Sequence, residues 1–447
     1  MKKLNITKSS LLLFSILFTT SSQASYYGRF ISGGFFSKEV FRSSQLDRYN
    51  DVAILSERLF VNFDKILDSN QEITLDLRDK NNFFDKLSSE RLRLTARNKL
   101  QLNQFNVHNS GSSEGGTYSF GRFPISEAGA IFVDGLDLGF RKNLYGYSTK
   151  FSLFYGLNPE LIDESEIKLN KDSRVYGGYF ILENKGADWG SYLFSTTSLV
   201  RQVYKSDVDR FFFFNNTNSQ SSNGDNFSSI LYLDLAPKIY IQNLWTTYVF
   251  NLSNKFKLRT SISTIDSLHY SRVQDIRETL PTSRYHQTSF SLRSPSNYGA
   301  VTYESKLTLG FREVDKKSIA EFKFGTFFPK VINDEISGTL NAGLKKNFVS
   351  NDLLMGGGFL HSNKIREIAL NQDVQFEKRI GLPLNYVLIT EGSYTKFFER
   401  NLFGIVSVQN TWDKNVSILS VFLKLSYRFG EGGQAPIREG SPPMGQL

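Results

Sequence analysis

The sequence predicts an all-β protein: a closed antiparallel β-barrel of about 16–18 strands that crosses a membrane. Three observations lead there. The chain opens with an export leader. Apolar and polar residues alternate with period two along most of the body. The last apolar run alternates as well and ends on an aromatic residue.

The leader sets the compartment. Lys2, Lys3 and Lys8 precede the apolar run Leu11–Phe18, and Ser22 and Ala24 place small residues before a cut between Ala24 and Ser25. A charged start, a short apolar middle and a small-residue end are the order that export requires. Residues 1–24 therefore read as a signal peptide, 25–429 as the barrel and 430–447 as a flexible Gly/Pro-rich tail. The leader takes three lysines and no acid with it, so the formal charge of +9 becomes +6 in the mature chain.

Composition removes other classes. Among 447 residues there is no cysteine, which excludes disulfides, thiolate nucleophiles and cysteine-bound metals. Beyond the leader, no apolar run approaches the ~18 residues of a spanning helix. Phe 40 and Tyr 21 are too many for bulk disorder. A soluble β-sandwich stays open on these grounds, because its polar faces would simply meet water.

Period two is the main evidence for strands. In Arg91–Leu102, one face carries Leu92, Leu94, Ala96, Leu100 and Leu102; the other carries Arg91, Arg93, Arg97 and Lys99. Phe151 and Leu153 alternate with Lys150 and Ser152, Leu307 and Leu309 with Lys306 and Thr308, and Phe322 and Phe324 with Glu321 and Lys323. Leu340, Ala342 and Leu344 oppose Thr339, Asn341 and Lys345. This alternation begins by about Leu55, without a large N-terminal plug region before it. Turn-rich stretches punctuate the runs: Ser110–Gly116, Ser253–Lys255 and a long polar loop over Asn215–Asn226. Met355–Phe359, with its three glycines, reads as a strand with close backbone approach.

The final run places Leu419, Val421, Leu423, Leu425, Tyr427 and Phe429 on one face and Lys424 on the other. It resembles the closing strand of bacterial outer-membrane β-barrels, which ends on an aromatic that the barrel assembly machinery reads. The resemblance assigns that role to Tyr427 and Phe429, and the cell outer membrane of a Gram-negative bacterium as the location. The chain departs from the pattern in continuing to Leu447. A second, shorter stretch, Tyr118-Ser119-Phe120-Gly121-Arg122-Phe123-Pro124 followed by Val133-Asp134-Gly135, is similar to the glycine-arginine strand of many porins. In those families it leads into a loop folded inside the barrel. Read from the residues alone, Pro124 breaks a strand and Asp134-Gly135 makes a turn.

If the apolar faces meet lipid, the arginines point inward, since a lipid-facing charge at mid-depth costs ~2–4 kcal/mol. Candidate pore-lining residues are Arg91, Arg93, Arg97, Lys99, Arg122 and Lys424. Such a lining favours anions, unless the cations pair with inward acids such as Glu304 and Glu321. The expected function is a porin-like channel for passive diffusion of small polar solutes, and the resemblance allows a homotrimer. Outer-membrane lipids and lipopolysaccharide are the expected surroundings, and export argues against a nucleic-acid partner. A structural or adhesive barrel acting through its loops is the alternative. His269 and Ser271, two residues apart on one strand face, resemble the dyad of outer-membrane phospholipase A, but the orienting Asn is missing. No cofactor and no metal site is expected: the four histidines are scattered.

Overall fold

The computed structural model describes residues 25–42, 48–65, 70–82, 99–109, 114–159, 169, 171–185, 192–236, 239–252, 255–266, 284–295, 301–399 and 401–430. The leader, the tail beyond Gly430, His269, Ser271, Arg91, Arg93 and Arg97 lie outside them. Twenty-two strands account for most of these residues: β1 (Ser25–Phe41), β2 (Arg48–Asp64), β3 (Gln71–Asn82), β4 (Lys99–Asn109), β5 (Gly115–Ile125), β6 (Ile131–Leu144), β7 (Tyr147–Leu157), β8 (Ser173–Lys185), β9 (Tyr192–Tyr204), β10 (Asp207–Gln220) and β11 (Asn226–Ala236). The second half holds β12 (Tyr240–Asn251), β13 (Lys257–Ile265), β14 (Tyr285–Arg293), β15 (Thr302–Arg312), β16 (Ser318–Phe328), β17 (Ile336–Lys346), β18 (Ser350–Ser362), β19 (Arg366–Arg379), β20 (Leu384–Glu399), β21 (Leu402–Trp412) and β22 (Val416–Gly430).

Each strand pairs antiparallel with the next in the chain, and β1 pairs with β22 from Tyr27↔Gly430 to Phe41↔Val416. The sheet thereby closes into a barrel with no terminal strand left unpaired. At ~4.8 Å between strands and ~40° tilt, twenty-two strands enclose a wall roughly 40 Å across.

Alternation tells the two faces apart. On β6, Leu136, Leu138 and Phe140 are 39–55% exposed, whereas Asp137 between them is 5% exposed. Rows of exposed apolar residues continue on neighbouring strands, through Tyr155, Leu153 and Phe151 and on to Phe180 and Leu199. A soluble protein would reverse this pattern; a barrel in lipid requires it. The buried apolar cluster sits inside the wall, where Phe123, Ile125, Ala128 and Val133 pack on Phe154, Val175, Val200 and Phe212.

The closed transmembrane barrel agrees with the sequence expectation, but the count is twenty-two rather than 16–18 strands. Many strands are only 9–11 residues long and are joined by two to five residues, so fewer residues go to loops than expected. The supposed loop Asn215–Asn226 is mostly strand. β10 runs to Gln220, and only Ser221–Asp225 turn before β11. Its outer face is polar there: Thr217 meets Ser195 at 2.8 Å, and Asn215 donates to Thr197 at 2.9 Å. Strand structure also starts at Ser25, well before Leu55, because Ser32-Gly33-Gly34 blurs the alternation of β1. Met355–Phe359 lies within β18 as expected.

The seam between β1 and β22 has its own packing requirement. Gly28 pairs with Phe429, and a Cβ at Gly28 would overlap both the Phe429 ring and the Phe60 carbonyl. Gly28→Val is expected to block closure, and the refolded variant should lose the compact, heat-modifiable band on a denaturing gel. An unchanged band would contradict this account of the seam.

Candidate functional site

The interior is built from two features: a hairpin folded into the lumen and the inner wall at the seam. The hairpin is the end of β5, a 3-10 turn at Ser126–Ala128 and the start of β6. β4 pairs with β5 only over Phe105–Asn109, so β5 leaves the wall beyond Arg122. Gly121 makes the departure, with φ of +120° and no room for a Cβ against the Phe105 carbonyl. Only glycine adopts such a backbone without strain.

Arg122 closes the gap this leaves. Its guanidinium donates two hydrogen bonds of 2.6 Å to Asp134, its direct partner on β6. It also donates to the Leu102 carbonyl of β4 at 3.1 Å. The two side chains are 12% and 5% exposed, so this is a buried, bidentate pair. At the tip, Tyr232 on β11 donates to the Gly129 carbonyl at 2.9 Å and Thr196 on β9 to the Glu127 carbonyl at 3.2 Å. Beneath the hairpin, Asp137 accepts from Ser152 at 2.6 Å and from Tyr179 at 2.8 Å, and Lys150 donates to Tyr179. Burying four apolar side chains of the hairpin contributes on the order of 1.5–3 kcal/mol for each large one. The hairpin thus leans on the inner wall of β7–β11, with its turn against β8 and β9.

The sequence reading of Arg122 is therefore sharpened. Its segment does lead into a hairpin inside the barrel, but its charge is held by Asp134. Pro124 and Asp134-Gly135 lie in strands β5 and β6, not in a break and a turn. Lys99 lies on β4. Lys424 lies on the inner face of β22, opposite Gly33 of β1.

Around Lys424 the structure gathers cations that the sequence reading missed. The inner face of β22, β1, β2 and β3 carries Arg428, Arg29, Arg58 and Arg78, with Arg29 opposite Arg428 and Arg58 opposite Arg78. Arg29 lies close enough to Arg428 and Arg58 to be repelled by both, and Lys424 is repelled by Arg29. Only Arg58 has a carboxylate, Asp76, at 2.6 Å; among the described residues Arg29, Arg78, Lys424 and Arg428 make no ion pair. Arg428 was legible, since it shares a face with Lys424. Arg29 was not, because the glycines of β1 hid its register. Beyond β21 the inner wall carries acids, Asp373 on β19 and Glu391 on β20.

At the rim opposite the strand termini β1 and β22, Glu313 accepts a hydrogen bond of 2.8 Å from His286, whose other ring nitrogen lies 3.0 Å from the Thr264 hydroxyl. The hydrogen bond from His286, with the charge of Arg284, holds the Glu313 carboxyl below the usual carboxylate range. In the same turn, the hydrogen bond from Arg312 pushes Asp315 down to about 2.

The chain matches no known protein family and no curated protein. Solved structures resemble it in fold. The siderophore receptor PirA from Pseudomonas aeruginosa aligns with a TM-score of 0.51 at 10% identity, over 90% of this chain and 80% of that one. OccAB4 from Acinetobacter baumannii aligns at a TM-score of 0.46 and 9% identity, over 92% and 99%. OccK9 (OpdG) from Pseudomonas aeruginosa gives 0.44 and 10%, over 92% and 100%. The fold is that of bacterial outer-membrane β-barrels, and the exposed apolar belt suits the chain to that membrane.

Two outcomes follow. Arg122→Ala leaves Asp134 buried without a partner and should cost about 3–5 kcal/mol. A fall in the urea midpoint, with new protease cleavage near Glu127, would report it; an unchanged midpoint would refute the latch. His286→Ala should raise the Glu313 pKa toward its ordinary value, read by carbon NMR titration. The sign is that of a depressed acid: its stabilising contribution is present above the ordinary carboxyl pKa and fades as pH falls through the lowered one.

Proposed function

We propose that the chain forms an outer-membrane diffusion channel for small polar solutes that prefers anions. The observation that carries this reading is the arc of inward cations at the seam, Arg29, Lys424 and Arg428, without carboxylate partners among the described residues. Cations on a low-dielectric wall raise the local concentration of anions. Rings and rows of arginine and lysine are how pores favour them. The hairpin held to one side of a wide wall supports an open lumen. Lipopolysaccharide and outer-membrane lipids would surround the apolar belt, and the assembly machinery would engage Tyr427 and Phe429.

Planar-bilayer recording of the refolded mature chain tests the reading. Under a salt gradient, discrete conductance steps with a reversal potential on the anion side are expected. Replacing Arg29, Lys424 and Arg428 with glutamine should cut the anion-to-cation permeability ratio several-fold while conductance persists. Absence of conductance would remove the channel; cation preference in the native chain would remove only the anion part.

A further inference from the structure

The seam arc carries more than charge. Phe35 of β1 and Phe422 of β22 are directly paired and lie on the inner face, one row above Gly33 and Lys424. They are 38% and 39% exposed, although a lumen filled with water offers rings no apolar surroundings. Ile54 of β2 continues the same row, and Phe403 of β21 lies one row below Lys424, with the Arg29 guanidinium 5.9 Å from its ring centre.

Between the rings and the lower cations the wall is recessed. Gly33 pairs with Ser56 and adds no side chain to the wall; the atoms nearest to where its Cβ would stand are the Leu423 and Ser56 carbonyl oxygens at 3.5 and 3.8 Å and the edge of the Phe422 ring at 4.0 Å. Arg78 leans over this floor, donating to the Ser56 hydroxyl at 3.0 Å. Lys424 borders the floor from β22. One side of the recess is therefore aromatic and the other cationic. Successive inner-face rows are ~7 Å apart, about the length of a benzoate-sized molecule.

We propose that this recess is a binding site for amphipathic organic anions, an apolar ring bearing one carboxylate. The proposal rests on the channel reading above and names the solute class that it favours. The ring would cover Phe35 and Phe422, which loses water from apolar surface on both sides. The carboxylate would take the charges of Lys424 and Arg29, which hold no carboxylate among the described residues. Acetate supplies only the charge, and benzamide only the ring. A small-molecule site needs both: apolar lining and a few polar groups that fix orientation.

The test is single-channel recording of the refolded chain in chloride, with benzoate, acetate or benzamide added. Benzoate should interrupt the chloride current at a concentration about tenfold below either of the others. Phe35→Ser with Phe422→Ser should raise the blocking concentration at least about fivefold while chloride still flows. Gly33→Leu, which fills the floor beside the Phe422 ring without removing either aromatic residue, should do the same and serves if the double variant fails to fold. Benzoate no better than acetate, or block that survives Gly33→Leu, overturns the site while leaving the channel standing. A native chain that passes no chloride overturns both.

Discussion

Backbone pairing across the β1–β22 seam is the constraint on which the rest depends. In hydrocarbon an unpaired peptide group costs several kcal/mol, so a sheet can cross a membrane only by leaving no edge. The seam is long, from Tyr27↔Gly430 to Phe41↔Val416, and it sets the inward or outward direction of every side chain that follows. Because the side-chain period is two, a slip of one residue there would turn Lys424 and Arg428 toward lipid and Leu423 and Leu425 into the lumen. Gly28 beneath the Phe429 ring favours the observed register, since a Cβ at the position under that ring would overlap it.

A single-layered wall has no core of its own, and the inward hairpin supplies one. Phe123, Ile125 and Val133 would meet water on an open barrel; folded inward, they are at most 4% exposed. Leaving the wall breaks the pairing of β4 with β5, and Arg122 answers that with a bond to the Leu102 carbonyl. Its charge is then neutralised by Asp134 rather than offered to the lumen. The most porin-like arginine in the sequence is thus a structural one, and the electrostatics of the interior fall to residues elsewhere.

How much of this the sequence disclosed depends on how one-sided each strand is. Strands with apolar outer faces and charged inner faces, such as Leu307–Phe311 or Phe322–Phe324, were legible because lipid and water impose opposite demands on successive residues. β10 was not, since Asn215 and Thr217 satisfy each other and their neighbours on its outer face and so look like a loop. β1 was obscured by Ser32-Gly33-Gly34, and with it the position of Arg29. The hairpin was visible as a glycine-arginine segment, but its partners were not: Tyr232 donates to the Gly129 carbonyl, and the two are about a hundred residues apart in the chain. No local pattern encodes that contact.

The inner wall has a directional field rather than a uniform charge. One strand, β21, separates the cations of β22–β3 from the arc that carries Asp373 and Glu391, and in the proposed channel counter-ions of each sign would have their own lane. Preference then depends on how each charge is surrounded. Asp373 takes a hydrogen bond from Asn341 and lies in the field of Lys323, whereas Arg29 donates only to the Ser426 hydroxyl and faces two like charges. A charge crowded by its own sign gains more from a passing counter-ion than one with a partner, because the ion relieves repulsion as well as adding attraction. That asymmetry, rather than the number of basic residues, is the physical basis for expecting anions to be favoured in this lumen.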